Sequence, residues 1–342
     1  MAIAWRRLPF YGLRLIHSVA QEPGLSLAVI NVGNSASQDA AVANLGRPLL
    51  SIGANDRCSW KDLGVMVPEV FFFSGWNCPV LNSLALEVKS SGGKTVCMLD
   101  NNRKRNLRQL AGKLVFRYRI ANTIDRFFTP GVEGRRLLEY YGVKKQHIWH
   151  RLYGADPQIY HPGGDLATRP RDFLFVGQFI RRKGLGALIS AVEDLRRRSV
   201  DHSILCVGEG PLGQGLEDAG IPTMPFAPPP TVATLMAESK FLVLPSLEEH
   251  WGVVVHEAVL CGCALILSDR VGSGADLLVS SNGLKCAAGD WRSLSSCMLR
   301  ALSMPESWFS ACRAEDAALG PLFGPSQWAR QFHGLVHELC GN

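Results

Sequence analysis

The sequence lacks the long hydrophobic runs that mark a membrane-spanning protein. Its longest apolar stretch, residues 251–268, is interrupted by His256 and Glu257 and contains two glycines. Burying such an ionisable pair in a bilayer is costly. The first residues include Arg6 and Arg7 and have no apolar core of the signal-peptide type. We therefore expect a cytoplasmic protein without a transmembrane segment.

The ten cysteines form no C-x-x-C pairs and no clusters with histidine. Several lie inside apolar runs, as Cys206 does, which is typical of buried thiols in a reducing compartment. This pattern excludes a disulfide framework and a structural zinc site. The sequence also has no internal repeat and no low-complexity segment, which indicates an ordered globular protein.

The formal net charge of +6 is unevenly distributed. Residues 1–165 contain 21 Lys and Arg against 12 Asp and Glu, whereas residues 166–342 contain 15 against 18. The basic first half favours an anionic ligand, an acidic lipid surface or nucleic acid, and an unevenly solvated surface is the alternative. Residues 102–108 and 113–120 fit the basic face of a helix pair, or an acceptor or membrane surface, and nucleic acid is least favoured.

The length of 342 residues exceeds one ordinary core and predicts two α/β domains. Short apolar runs alternate with helical patterns, as in parallel sheets covered by helices. A segment rich in Gly, Pro and Asp at 153–164 separates two such series. We predict an N-terminal domain at 1–162, a C-terminal domain at 163–325 and a helix at 326–342 that crosses back to the N-terminal domain and packs across the two domains. The apolar stripe of that helix consists of Trp328, Phe332, Leu335 and Leu339.

The segment EHWGVVVHE places Glu249 and Glu257 eight residues apart. The two acids of a glycoside hydrolase need carboxyl groups about 5–9.5 Å apart, whereas eight residues of continuous helix would separate them by about 12 Å. The spacing therefore suits an extended ligand with hydroxyl groups at both ends. A helix that starts near Gly252 would direct N–H groups at phosphates in its middle. This combination predicts a nucleotide-sugar site.

Two other motifs offer alternative functions. His256-Glu257 begins like a zincin helix, but Leu260 stands where the second His of H-E-x-x-H should be, so no metal is expected. Residues 208–213 match the G-x-G-x-x-G dinucleotide pattern, which leaves an NAD(P)-binding oxidoreductase as a less favoured alternative. The next strand, at 223–225, does not end in the Asp or Glu that binds ribose in such enzymes.

Residues 249–258, together with 261–269 and 271–278, resemble the E-x7-E signature of family 4 (group 1) retaining glycosyltransferases. The resemblance covers most of residues 172–302 and continues through 175–184, 207–211, 244–246, 282–283 and 289–290. It implies the GT-B fold, an α/β architecture of two Rossmann-like domains that face each other across a cleft. The C-terminal domain would bind the donor nucleotide and the N-terminal domain most of the acceptor.

The resemblance also implies roles for residues of the C-terminal domain. Glu257 would accept hydrogen bonds from the ribose, Glu249 would hold the transferred sugar and Lys183 would contact the diphosphate, where a cation stabilises the leaving group. Gln178 replaces an arginine of the family. The remaining donor contacts would come from Gly177, Arg182, Trp251, Gly252 and Val253, with the nucleobase near Phe226.

In the N-terminal domain, Arg7 and Gly12 lie where the family has its glycine loop. Asp100 follows a strand that ends in His in the family, so Asp100 would either polarise the acceptor hydroxyl or cap the next turn. Retention in the family is understood as front-face attack, in which the departing phosphate helps to accept the proton of the acceptor. A separate general base is therefore not required.

We expect a retaining, metal-independent transferase of the hexosyltransferase kind that needs no separate cofactor. It would move sugar from a nucleoside-diphosphate donor, preferably UDP, to a hydroxyl of a glycan, a lipid-linked acceptor or a small molecule, as in glycan or cell-envelope assembly. The protein would be cytoplasmic or peripheral to the inner face of the membrane. A non-catalytic glycosyltransferase-like subunit is the main alternative, because Gln178 and the missing His depart from the family.

Overall fold

A computed structural model describes residues 1–20, 25–33, 45, 49–104 and 107–341. The chain divides into two compact units, Met1–Gly154 with Gly324–Asn342, and Ala155–Phe323. The first division thus falls eight residues before the predicted boundary at 162. The reason is that residues 155–162 pack within the second unit, where the Ala155 N–H donates to His256 and the Tyr160 hydroxyl bonds to Glu257.

The first unit contains a parallel sheet of seven described strands in the order β3-β2-β1-β4-β5-β6-β7. The strands are β1 (Ala2–Arg6), β2 (Ala28–Val32), β3 (Leu49–Ile52), β4 (Val70–Ser74), β5 (Lys94–Met98), β6 (Arg126–Phe128) and β7 (Ile148–Trp149). The helices between them are α1 (Phe10–Ala20), α2 (Pro79–Ser90), α3 (Leu107–Val115) and α4 (Val132–Tyr141). A π-helical turn, Phe116–Ile120, continues α3 and leads into a 3-10 turn, Ala121–Thr123.

Strand β4 shows why this sheet is covered on both faces. Its residues Val70 to Phe73 are all buried, as expected for a central strand of a parallel sheet. Successive side chains point to opposite faces, so Phe71 stacks on Phe73 at 5.4 Å between ring centroids, while Phe72 stacks on Phe332 at 4.7 Å. The two faces of the sheet are therefore packed by different parts of the chain.

Phe332 belongs to the last helix of the chain, which packs on the first unit as the sequence predicts. Trp328, Phe332 and Leu335 are fully buried. At the far end of the helix, Glu338 pairs with Arg126 at 2.6 Å and accepts a hydrogen bond from the Trp149 indole at 3.1 Å. The chain thus returns to the sheet in which it began. This last helix spans Pro325–Cys340.

The second unit has a parallel sheet of six described strands in the order β10-β9-β8-β11-β12-β13. They are β8 (Arg171–Val176), β9 (Ile204–Val207), β10 (Thr223–Met224), β11 (Ser239–Leu244), β12 (Ala264–Ser268) and β13 (Gly283–Cys286). Its helices are α5 (Leu185–Arg197), α6 (Gly213–Asp218), α7 (Pro229–Ala237), α8 (Val253–Leu260), α9 (Gly274–Leu277), α10 (Trp291–Leu302) and α11 (Glu306–Leu319). The helix Pro325–Cys340 of the first unit is therefore α12.

In each sheet the strand order reverses at the first strand of the unit, β1 or β8, which is the Rossmann order. The prediction of two such α/β units is confirmed. Ligands of these folds bind beyond the carboxyl ends of the strands, where the order reverses. In the first unit this switch point lies between β1 and β4, where the Arg6 N–H donates to Ser74 Oγ at 2.6 Å. In the second it lies between β8 and β11. In the second unit, the loops after β8 and β11 are therefore where a ligand is expected to bind.

All ten cysteines are free thiols. Burial raises the pKa of several of them, to about 12 for Cys206. Along the described ranges, no helix combines the length and apolar character needed to span a bilayer.

The stacking of Phe332 predicts a large stabilising effect of α12 on the first unit. Phe332→Ala should lower the free energy of unfolding of this unit by about 3–5 kcal/mol, because it empties a buried site between Phe72 and Trp328. Urea denaturation read by hydrogen exchange of β4 peptides measures this. Arg330→Ala, which changes an exposed side chain of the same helix, should stay within about 0.5 kcal/mol of wild type. Equal effects of the two variants would contradict the assigned packing.

Candidate functional site

A buried ion pair lies at the switch point of the second unit. The chain leaves β8 at Val176 and reaches Lys183 in a 3-10 turn, Arg181–Lys183. The Lys183 ammonium donates to Glu249 Oε2, and the two side chains are only 11% and 10% exposed. Because Glu249 follows β11, the pair joins the loops after the two strands that flank the switch point.

A close backbone approach brings these two loops together. Gly184 has φ of 75°, and a Cβ there would lie 2.0 Å from the Pro245 carbonyl oxygen. Only glycine fits such a position. The Leu247 N–H donates to the Arg182 carbonyl at 2.8 Å, next to this contact. The backbone itself therefore fixes where Lys183 and Glu249 meet.

Glu249 lies in an extended segment and not in a helix. Its backbone forms a parallel bridge with Val271, with hydrogen bonds to the Arg270 carbonyl at 3.1 Å and from the Gly272 N–H at 3.0 Å. Helix α8 begins only at Val253. The assumption of a continuous helix from Glu249 to Glu257, from which the separation of about 12 Å was estimated, is therefore wrong.

Two glycines border the ion pair. A Cβ on Gly177 would lie 3.7 Å from the Lys183 Nζ, and one on Gly252 would lie 3.0 Å from the Glu249 Cγ. Arg182 adds a second cation, 3.6 Å from Glu249 Oε1. The structure thus brings together five of the residues predicted for the donor site. The two of them that lie next to the charged groups, Gly177 and Gly252, have no side chain.

Helix α8 starts directly after this group. Gly252 is its N-cap with φ of 81°, and the first N–H groups of a helix have no acceptor within the helix. Trp251, in contrast, is 3% exposed and packs on Phe323 at 5.2 Å. The ring therefore packs inside the unit at the start of α8, so a donor contact of Trp251, which stays a prediction, would have to come from its backbone.

Glu257 lies one turn before the end of α8 and is partly buried. Burial raises the pKa of its carboxyl to about 7, although a hydrogen bond from the Tyr160 hydroxyl acts in the opposite direction. Burial and the neighbouring Glu257 in turn raise the pKa of Tyr160. Sequence reasoning missed Tyr160, because the residue lies in a Gly- and Pro-rich segment that we interpreted as a linker.

His256, the other residue of the zincin-like pair, is fully buried. Its Nδ1 accepts from the Ala155 N–H at 2.8 Å and its Nε2 donates to the Gly320 carbonyl at 2.9 Å. Burial lowers its pKa to about 4. His256 is therefore a neutral core residue that holds two backbone segments, and both of its ring nitrogens are occupied by protein partners.

The glycines of the dinucleotide-like pattern also have a structural explanation. A Cβ on Gly208 would lie 2.0 Å from the Gly177 carbonyl oxygen, and one on Gly210 would lie 2.6 Å from that of Phe179. The loop after β9 thus packs against the loop after β8. This packing accounts for the glycines without any dinucleotide.

The other two predicted residues of this unit lie on exposed loops. Gln178 is exposed in the turn after Gly177. Phe226 follows β10, its side chain is 79% exposed, and its N–H donates to Glu209 Oε1 at 3.3 Å. The Phe226 ring is therefore accessible to a planar ligand.

The first unit contains the three remaining predicted residues. Arg7 is exposed, with φ of 54°, and its N–H donates to the Val32 carbonyl at 3.0 Å. Gly12 lies inside the first turn of α1, where a Cβ would be 2.9 Å from Leu8 Cδ1. The absence of a side chain at Gly12 thus serves the packing of α1 on the preceding loop, and a ligand contact of Gly12 stays a prediction.

Asp100, the third of these residues, follows β5 and is hydrogen-bonded to the Tyr153 hydroxyl. The Tyr153 ring packs on Trp5 at 5.9 Å and on Tyr11 at 5.3 Å, and burial raises the pKa of Tyr153. Asp100 therefore faces a group of aromatic side chains at the carboxyl edge of the first sheet. A role at the acceptor hydroxyl stays a prediction.

Residues 170–304 match the model of a protein family described as Glycosyl transferases group 1. The second unit is therefore similar to a group 1 glycosyltransferase domain. This match spans both loops of the ion pair and all of α8, so it includes the group of residues at the switch point.

Curated glycosyltransferases that resemble this chain align with it over less than their full length. An uncharacterized glycosyltransferase of Methanocaldococcus jannaschii is 25% identical over 191 residues, 51% of this chain and 48% of its own. The D-inositol 3-phosphate glycosyltransferase of Corynebacterium kroppenstedtii is 30% identical over 175 residues, 43% of this chain and 39% of its own. The chain thus spans about half or less of the length of these relatives.

Solved structures match over nearly the whole chain. HepE of Anabaena, in complex with UDP and glucose, has a TM-score of 0.75 at 15% identity and covers 99% of this chain and 100% of its own. The sucrose-phosphate synthase of Thermosynechococcus elongatus has a TM-score of 0.73 at 14% identity and covers 100% and 99%. At this identity the likeness establishes the fold, which is GT-B.

The raised pKa of Glu257 predicts a specific pH dependence of stability. The folded-state value of about 7 lies above the ordinary 4.5, so the folded protein keeps a proton that the unfolded chain releases. The free energy of unfolding of wild type should therefore rise as the pH falls from about 7 toward 4.5. Glu257→Gln should remove up to about 1.4 kcal/mol per pH unit of this dependence.

Urea denaturation at several pH values between these limits measures the difference. Glu193→Gln is the matched control, because Glu193 is an exposed carboxylate of the same unit, and it should follow the wild-type curve. Parallel curves for Glu257→Gln and wild type would show that Glu257 does not hold this proton.

Proposed function

We propose that this protein is a retaining, metal-independent glycosyltransferase that uses a nucleoside-diphosphate sugar. The observation that carries the proposal is the Lys183–Glu249 pair, bordered by Gly177 and Gly252, at the switch point of a group 1 glycosyltransferase domain. A buried cation, a buried carboxylate and a helix start adjoin there. This is the set of groups that a sugar diphosphate requires.

The diphosphate would bind between Lys183 and the first turn of α8. The N–H groups of the first turn, which begins at Val253, and the positive end of the helix dipole favour an anion. Lys183 would stabilise the negative charge that develops on the leaving nucleoside diphosphate. Arg182, 3.6 Å from Glu249, supplies a second charge, which compensates for Gln178 where the family has arginine.

The nucleoside would extend from the phosphates toward Glu257 and Phe226. A carboxylate has about four acceptor sites, so Glu257 can accept from the ribose hydroxyls while it keeps the hydrogen bond from Tyr160. The exposed Phe226 ring offers an apolar surface to the nucleobase. We favour UDP as the nucleotide, since the structural neighbour HepE binds UDP.

In the transfer step the bond between the anomeric carbon and the phosphate oxygen breaks, and the acceptor oxygen bonds to the same face of that carbon. The proton of the acceptor hydroxyl passes to the departing phosphate oxygen. Glu249 would hold the sugar hydroxyls, and Asp100 would orient the acceptor hydroxyl. We infer that the acceptor is a glycan, a lipid-linked sugar or a small polyol in glycan or cell-envelope assembly; several relatives act, by their names, on an inositol phosphate.

Donor binding tests the first part of the proposal. UDP-glucose should stabilise wild type in a thermal-shift panel with UDP, GDP, ADP and NAD, and calorimetry should give about 10- to 100-fold weaker binding for Lys183→Ala, since hydrogen bonds to charged groups contribute about 1.5–3 kcal/mol. Lys240→Ala is the matched control. Lys240 is also ion-paired, with Asp172 at 3.0 Å, but it lies at the amino end of β11. Stabilisation by NAD alone, or equal losses in both variants, would contradict the donor site.

Slow hydrolysis of the donor without acceptor tests catalysis. Glu249→Gln should reduce this hydrolysis about 100-fold or more, because a charged group that stabilises the transition state is removed. Glu248→Gln, at a neighbouring carboxylate that is 41% exposed, should retain it. Undiminished hydrolysis in Glu249→Gln would remove Glu249 from the mechanism. Tight donor binding without hydrolysis or transfer in wild type would favour the non-catalytic subunit instead.

A further inference from the structure

Helix α3 and the turn after it are anchored to the first unit along one side. Phe116 is 2% exposed, with its ring 5.1 Å from that of Trp76 and 5.3 Å from that of Tyr141. One turn earlier, a Cβ on Gly112 would lie 3.0 Å from the Tyr141 hydroxyl oxygen. Gly112 and Phe116 therefore mark the inner side of residues 107–120.

The outer side of the same segment is apolar. Leu107, Leu114 and Tyr118 are 83%, 60% and 75% exposed, and Leu110 and Val115 are 55% and 50% exposed. Leu107, Leu110, Leu114 and Tyr118 are three or four residues apart, which places them along one face of a helix, and Val115 adjoins Leu114. We call these five residues the apolar stripe. Single exposed leucines are common in soluble proteins, but a contiguous row marks a binding surface.

Positive charge flanks the apolar stripe, without any negative charge in the same stretch. Residues 102–120 contain seven Lys and Arg and no Asp or Glu. Arg117 is exposed, and Arg103 and Lys113 lie over the Tyr140 ring at 4.5 and 4.8 Å. Arg105 and Asn106 lie outside the described residues. The stripe thus combines apolar side chains with a strongly cationic border.

The combination of apolar side chains and positive charge favours one of three possible partners: a second copy of the chain, single-stranded nucleic acid or an anionic bilayer. A second copy of the chain would pair the stripe with itself across a two-fold axis and so bring like charges together. Single-stranded nucleic acid would satisfy the cations but would stack on aromatic rings, and the stripe is mostly aliphatic. An anionic bilayer accommodates both features, because leucines enter the boundary between headgroups and acyl chains while Lys and Arg meet the lipid phosphates.

We propose that residues 107–120 bind the surface of an anionic phospholipid bilayer. The apolar stripe inserts at the level of the headgroups, and the flanking cations contact the lipid phosphates. Because Gly112 and Phe116 anchor the segment on its inner side, insertion needs no rearrangement of the first unit. This proposal is independent of the proposed function.

Co-sedimentation with vesicles tests the proposal. Wild type should bind vesicles of phosphatidylcholine with phosphatidylglycerol at least tenfold more strongly than vesicles of phosphatidylcholine alone. The double variant Leu110→Gln/Leu114→Gln should lose about tenfold or more of this binding, since affinity scales with buried apolar area. Raising the salt concentration should weaken wild-type binding, because it screens the cations.

The control is Leu86→Gln, which changes an exposed leucine of the same unit. Leu86 is 51% exposed but stands alone on α2, between the exposed Ser83 and Ser90. It should bind the anionic vesicles like wild type. Gln has nearly the helix propensity of Leu, so both variants should keep the wild-type melting temperature and the wild-type affinity for UDP-glucose. Failure of UDP-glucose binding in every protein would concern the proposed function alone.

Several results would overturn the membrane proposal. One is a wild-type protein that does not bind anionic vesicles at low salt, and another is a double variant that binds them as wild type does. A wild-type dimer that the double variant loses would assign the stripe to a second copy. Tighter binding to single-stranded RNA than to vesicles, lost in the same variant, would assign it to nucleic acid.

Discussion

The contact between Gly184 and the Pro245 carbonyl determines the geometry at the switch point of the second unit. A Cβ would lie 2.0 Å from that oxygen, so the loops after β8 and β11 approach as closely as backbone allows. Lys183 directly precedes Gly184, and Glu249 follows Pro245 by four residues, so the contact between the two backbones brings the two side chains within reach of each other. The main chain therefore determines where the two charged groups lie, and they are in position before any ligand binds.

Burying such a pair is costly unless both charges are compensated. Glu249 receives Lys183 and lies near Arg182, so its charge is compensated in the ligand-free protein. A sugar diphosphate would bring phosphate charge to the lysine and hydroxyl donors to the carboxylate, replacing one set of partners by another. The pair thus holds both side chains in place before a ligand binds, which reduces the reorganisation needed on binding.

The regular elements were predictable where burial and periodicity agree. Helices α4 and α8 and strand β12 combine a clear apolar pattern with a definite start or end, which makes such elements predictable from sequence. Strands β3 and β7 carry too little pattern to be predicted, because they are only four and two residues long and lie at the edges of the sheet. The sequence indicated a helix pair with a basic face around residues 102–120, but the outward position of the α3 leucines was not predicted, because an amphipathic pattern cannot tell an exposed stripe from a buried one.

At the site, the sequence predicted residue types and their grouping but not which atoms are accessible. Trp251 and Gly12 were assigned to ligands, yet the Trp251 ring packs on Phe323, which is distant in sequence, and Gly12 packs closely on Leu8 of the preceding loop. Tyr160 shows the reverse case, since its hydrogen bond to Glu257 joins segments almost a hundred residues apart. Such contacts depend on the return of the chain to a sheet edge, which spacing within one motif does not encode. Arg182 and Lys183 could be assigned to the same site because they are neighbours in one short turn, so their positions depend on the same few residues.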